Sequence, residues 1–306
     1  MMKTKSLVNA AMMMAIYLVF FILYNIGILP GIMTILLPIP LIIYSMVSKK
    51  AMDVIWLLVG CCIGSYLVGS IYGLMTTLLY GGTGVILGIG MMKNWMYWHR
   101  ILNATILFVI GMPLITQMMT GINMTDMFLE TMNSMFTMFN QLEGMLPEEN
   151  VSQLATMQQM MQTFVPMIMP TILVVTGGIG VYLSDRISRV ILKRMNLEEP
   201  KGQAIGEFQL GSVMAVVLMV TQLSLGLIGN TGVSVILLNV VMLLNVLFMI
   251  QGAVVAIQFF KLRNQKGFGI FVVILAFISN LSMIVSLVGM MDALFDYRKR
   301  FITKGS

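Results

Sequence analysis

Residues 51–92 read AMDVIWLLVGCCIGSYLVGSIYGLMTTLLYGGTGVILGIGMM, an apolar run with one charged side chain, Asp53, bracketed by Lys49 and Lys50 before it and Lys93 after it. A membrane-spanning helix needs about 20 apolar residues, so the run holds enough for two. A break near Ser70 divides it into segments 51–70 and 72–92. Two crossings return the chain to its starting side, and both ends of the run carry lysine.

The rest of the chain is read in the same way. It has 306 residues, 58% hydrophobic and 10% charged, with mean hydropathy +0.94; a soluble domain carries roughly 25% charge. Long unbroken runs mark an all-α membrane protein, because a membrane barrel alternates polar and apolar residues over strands of about ten. The segments are 7–25, 28–47, 51–70, 72–92, 101–119, 165–184, 208–229, 232–260 and 268–290, so eight to nine spans are expected in a single domain covering 1–306. The first follows Lys3 and Lys5 and lacks a small-residue cleavage site, which reads as a retained helix.

Basic residues orient the spans. Lys3 and Lys5, Lys49 and Lys50, Lys93 and Arg100, the cluster from Arg186 to Lys201, and Lys261, Arg263 and Lys266 all fall on one side if every segment crosses. The positive-inside rule makes that side cytoplasmic and the protein a multi-pass protein of a cell membrane. Opposite loops near Gly27 and Ser70, at 120–164 and at 229–231 contain neither Lys nor Arg. One conflict arises: a single crossing by 268–290 puts Arg298, Lys299 and Arg300 outside, unless that segment or the proline-bearing second one fails to cross.

Composition excludes several chemistries. Cys61 and Cys62 are the only cysteines and His99 the only histidine, which removes a disulfide framework, common zinc and haem sites, and Ser-His catalysis. The net charge of +6 sits mostly in short loops, where it sets topology and implies no nucleic acid. No catalytic residue, metal ligand or cofactor is expected, and the chain reads as a non-enzyme in contact with the lipid bilayer.

Small residues mark helix contacts, since helices in lipid associate by close backbone approach. Gly60 and Gly64, Gly69 and Gly73, and Gly84 and Gly88 read as packing faces, while Ala11 and Ala15 share a face of the first helix. Pro38 and Pro40 interrupt the second segment and bias Leu37 and Ile39 toward extended geometry. Asp53, Asp185, Glu207, Asp292 and Asp296 all lie near segment ends, which speaks against a proton or sodium relay. The interior amides suit a small polar organic solute, and Trp95, Tyr97 and Trp98 read as an interfacial belt.

The 120–164 stretch reads as an extracytoplasmic amphipathic helical insertion. Asn123 with Asp126, and Asn150 with Gln153, resemble reciprocal caps. One helix would turn inward Met124, Phe128, Met135, Met138, Phe139, Leu142 and Leu146, and the other Leu154, Met157, Met160, Met161 and Phe164. Interleaving with Phe and Leu argues for a flexible cover rather than a soft-metal site. The 184–206 segment is a basic cytoplasmic loop suited to anionic lipid or a partner.

The Ala11 and Ala15 face, LPIPLIIYSMVSKKAMDVIWLLVG (37–60) and GTGVILGIGMMK (82–93) resemble the substrate-binding S components of energy-coupling-factor vitamin transporters over the first six spans. With VGMMDALFDYRKR (288–300), the whole chain resembles the YybS-like family of bacterial membrane proteins. The S-component resemblance implies a solute pocket beneath the outer loops, and docking of the first helix through Ala11 and Ala15 to the transmembrane T subunit of an ATPase-driven module. Here Lys49 and Lys50 replace the usual turn glycine, and extra C-terminal spans follow. The expected function is solute binding or transport, with Tyr24, Asn25, Tyr66, Tyr72 and Gln117 lining the site. The alternative is a membrane scaffold or regulator that recruits a partner through Arg186, Arg189 and their neighbours.

Overall fold

A computed structural model describes residues 4–140, 148–197, 205–228, 232–278 and 281–298. The chain divides into two compact units. The first comprises Met1–Val165 and Thr176–Gly202, the second Pro166–Val175 and Gln203–Ser306.

In the first unit, α1 (Thr4–Asn25) buries Met13, Tyr17 and Phe21 on one face and leaves Val8, Met12 and Val19 exposed for lipid. A left-handed turn at Gly27 and Leu29 leads into α2 (Pro30–Leu36) and α3 (Ile39–Ser48). Pro30 suits the start of α2, where its missing N–H is no loss. At the Pro38–Pro40 pair the expectation of extended backbone is corrected. Leu37 is right-handed helical and its amide still donates to the Met33 carbonyl at 2.9 Å. The chain resumes its helix immediately because buried partners meet the disturbed backbone, as membrane interiors require: Ser184 Oγ donates to the Ile35 carbonyl at 2.7 Å. Residues Ile39–Met46 are all buried, so α3 is the central helix of this unit.

The run 51–92 forms α4 (Ala51–Met92), which is two helices folded back on each other. Gly69 and Ser70 leave helical geometry, Ser70 with φ of 54°. Thr77 Oγ1 then donates to Ser65 Oγ at 2.7 Å across the hairpin. A Cβ on Gly73 would lie 2.2 Å from the Ser65 carbonyl oxygen, and one on Gly81 would strike Leu58. The other small residues work outward: Gly60 and Gly64 face Met14 and Leu18 of α1, and Gly84 and Gly88 face Pro38 and Ser45.

The next helices are α5 (Tyr97–Thr120), α6 (Met124–Asn140) and α7 (Glu148–Arg194). The Asn123 cap is present, its Oδ1 accepting the Asp126 amide at 2.9 Å. The second expected cap is not, because α7 already begins at Glu148. At about 1.5 Å per residue α7 is roughly 70 Å long, more than twice the hydrocarbon thickness. Its first part and α6 therefore extend beyond the membrane on the side away from Lys193 and Arg194.

The phase expected for the methionine stripes is also corrected. Phe136 is buried and Asn133 half-buried, whereas Met135, Met138, Met157, Met160 and Phe164 are exposed. Gln158 and Gln162 donate to Asn133 Oδ1 at 3.1 and 3.3 Å, so amides join the two helices and most of the methionines point away. Hydrogen bonding of the paired amides outweighed burial of methionine on this hairpin. The expected contributions of Phe139, Leu142, Leu146 and Leu154 lie outside the described side chains.

The second unit contains a 3-10 turn (Ile205–Glu207), α8 (Ser212–Leu227), α9 (Gly232–Leu262), α10 (Lys266–Ile278) and α11 (Ser282–Phe295). Segment 268–290 is thus two helices. Each is about 20 Å long, too short to cross alone. Contacts pairing Asn245 with Ser286, Phe248 with Gly289 and Gln251 with Asp292 hold α11 parallel to α9 at a constant offset. Gly252 and Gly289 permit that approach, since a Cβ on either would lie 1.9 Å from a carbonyl oxygen of the facing helix. Because α11 runs the same way as α9, it ends toward α9's basic end, and Arg298 returns to that side. The conflict over the C-terminal charges is resolved in favour of a segment that fails to cross.

Among the described residues, six helices are long and apolar enough to span a membrane: α1, α2 with α3, α4, α5, α7 and α9. The eight or nine expected segments exceed this because α4 counts once, α8 has 16 residues, and 268–290 is broken.

Candidate functional site: a buried arginine–carboxylate cluster

At the basic end of the first unit, α5 and α7 run antiparallel, with Gly177 and Gly178 of α7 against Phe108 and Thr105 of α5. That register brings the first turn of α5 to the last third of α7. Arg100 Nε donates to Asp185 Oδ1 at 3.0 Å, and Arg189 Nε donates to Asp185 Oδ2 at 2.8 Å. Asp185 is wholly buried, Arg100 1% exposed and Arg189 3%.

The ring of Tyr97 completes the cluster. The Arg100 and Arg189 guanidinium carbons lie 5.0 and 5.3 Å from its centroid, within cation–π range. Asp185 and Arg189 are four apart on α7, and Tyr97 and Arg100 three apart on α5, so each helix presents its pair on one face. Two guanidiniums share one carboxylate in a place where desolvation makes every charge costly. The Tyr97 hydroxyl, Ser188 Oγ and Arg189 Nη2 are buried with no hydrogen-bond partner among the described residues.

The second unit has its own charged network. Asp292, fully buried, accepts from Arg298 Nε at 2.8 Å and from Gln251 Nε2 at 2.8 Å. Arg298 also donates to the carbonyls of Gly206 and Phe208, and Gln251 Oε1 accepts the Leu210 amide. Every member is bonded, so this network is a clasp holding the C-terminal turn to the segment before α8.

The residues expected to line a solute site belong to the first unit. Tyr24 lies near Tyr72, and its ring meets Tyr80 edge-on at 6.1 Å. Tyr80 in turn packs on Phe108 at 6.1 Å. Tyr66 and Tyr72 flank the α4 break and are exposed, as are Asn25 and Gln117. Tyr24 and Tyr72 are brought together, with Asn25 close to Gly69; no described contact joins Tyr66 or Gln117 to them. Ala11 and Ala15 lie on the exposed face of α1. Arg186 is exposed, but Arg189 is buried in the cluster and so is not part of an exposed docking face.

Sequence reasoning missed the cluster because Tyr97 read as an interfacial anchor, Arg100 and Arg189 as cytoplasmic basic residues and Asp185 as a segment end. The usable signal was the Asp185–Arg189 spacing, an i,i+4 ion pair continuous with an apolar helix. Among the described residues no group of His, Cys, Asp and Glu is placed to hold a metal.

These features define a polytopic α-helical membrane protein with buried charge at the basic end of each of two units. The chain belongs to the family described as predicted membrane proteins (DUF2232), whose model matches residues 13–293. No curated protein and no solved structure matches it.

Proposed function

We propose that this protein is a solute-binding or transport subunit of a bacterial cell membrane, taking a small polar organic solute at the outer end of its first unit. The observation that carries this reading is the broken turn of α4. At Gly69 and Ser70 the backbone leaves its helix beside the neighbouring Tyr24 and Tyr72. A turn of this kind leaves backbone polar groups outside helical pairing, and the tyrosines add hydroxyls and flat apolar faces. The amide-joined α6 and α7 are suited to cover such a site.

The resemblance to S components and to the YybS-like family supports the same reading. It extends to a T subunit and ATPase module docking on Ala11 and Ala15, which lie on a lipid-facing surface of α1. The assignment as a non-enzyme belongs to this proposal. The scaffold alternative retains Arg186, Lys193 and Arg194, all exposed, as a partner surface.

The test is native mass spectrometry of the affinity-purified full chain. A bound small molecule, retained by the wild type and lost from the Tyr24→Phe, Tyr72→Phe double variant, is the expected result. A chain that carries no small molecule and recovers no ATPase module would overturn the proposal.

A further inference from the structure

The Asp185 cluster has donors that its own carboxylate cannot serve. Oδ1 is taken by Arg100 and Oδ2 by Arg189, each through Nε. Arg189 Nη2 and the Tyr97 hydroxyl remain unused by any described residue, although both are buried. A buried donor left unsatisfied keeps its full desolvation cost, and a charged one more so. Water can accept from such donors, but it brings no negative charge to the Arg189 guanidinium, which reaches Asp185 through Nε alone.

The surroundings favour an oxyanion. Met96, at the start of α5, provides no side-chain cap, so the positive end of that helix dipole adds to the field at Tyr97. Lys193, Arg194 and Arg186 are exposed on the same end of α7. Trp98 packs edge-on against Tyr97 at 5.0 Å, and Trp95 and Trp98 are 38% and 39% exposed, the placement of side chains at a headgroup boundary. Guanidinium donors match phosphate oxygens in geometry as well as charge.

We infer that the cluster is a phosphate-oxygen binding site, in which Arg189 Nη2 and the Tyr97 hydroxyl donate to the anion while Asp185 holds both guanidiniums in position. The anion is either the phosphodiester of an anionic phospholipid or free phosphate. The site is separate from the outer site proposed above.

Thermal unfolding of the full chain in detergent tests this with three probes: inorganic phosphate, short-chain phosphatidylglycerol, and phosphatidylcholine of the same chain length. Saturable stabilisation by phosphatidylglycerol alone assigns the headgroup; stabilisation by inorganic phosphate as well assigns the free anion. In either case Tyr97→Phe, which keeps the ring and loses the unpaired hydroxyl, should weaken the apparent affinity at least fivefold, and Arg189→Gln at least tenfold. If Arg189→Gln does not fold, Tyr97→Phe decides alone. The Lys193→Gln, Arg194→Gln double variant should retain the Tyr97-dependent response. Phosphatidylglycerol acting no differently from phosphatidylcholine with no response to phosphate, or a response unchanged in Tyr97→Phe, overturns the proposal.

Discussion

Asp185 stands between two guanidiniums in a place from which water is excluded, so its charge is what makes their burial tolerable. Removing one partner of a buried ion pair typically costs about 3–5 kcal/mol, because the remaining charge is left uncompensated. Asp185→Asn should therefore lower the thermal midpoint in detergent far more than Asp53→Asn, whose carboxylate is only half-buried at the start of α4. Apolar replacement of a whole buried ionic group is often neutral or stabilising. The triple variant Arg100→Met, Asp185→Leu, Arg189→Met should then recover most of the stability lost by Asp185→Asn while losing the phosphate response. A triple variant as unstable as Asp185→Asn would show that the cluster's hydrogen bonds are needed for the fold itself.

At the scale of elements, glycine decides which helices touch. Gly252 and Gly289 face each other so closely that a Cβ on either would lie 1.9 Å from a backbone carbonyl oxygen, an atom that cannot rotate away. Gly252→Ala or Gly289→Ala should thus separate α9 from α11 and strain the Gln251–Asp292 clasp. A destabilisation of about 1–3 kcal/mol is expected, typical of overpacking. Gly226→Ala, where a Cβ meets nothing within 4 Å, should be neutral or slightly stabilising through helix propensity. Equal effects of the three substitutions, measured by unfolding in mixed detergent, would count against the α9–α11 contact. The small-residue spacings in α4 were legible in the sequence because lipid leaves close packing as the main association force. The faces of α6 and α7 were not. With methionine at nearly every turn, their apolar pattern has no sharp phase, and the Asn133 amide pairing fixed the orientation instead.

For the molecule as a whole, the return of Arg298 to the basic end of α9 predicts its topology. In a Cys61→Ser, Cys62→Ser background, Ser306→Cys should resist a membrane-impermeant maleimide on intact cells and react after permeabilisation. Thr131→Cys on α6 should react without permeabilisation. Labelling of residue 306 from outside would reverse the assignment of α10 and α11.

The sequence by itself determined that the chain is an α-helical membrane protein, where its basic loops lie, and that the paired glycines of α4 form contacts. Those properties follow from local composition and from the cost of burying charge in hydrocarbon. Only the tertiary structure decided that Tyr24 lies beside Tyr72 at the α4 turn, that α10 and α11 turn the chain back, and that Arg100 meets Asp185 85 residues away. The reason is physical: a charged side chain near a helix end looks solvated in sequence, and only a facing helix can take the water away.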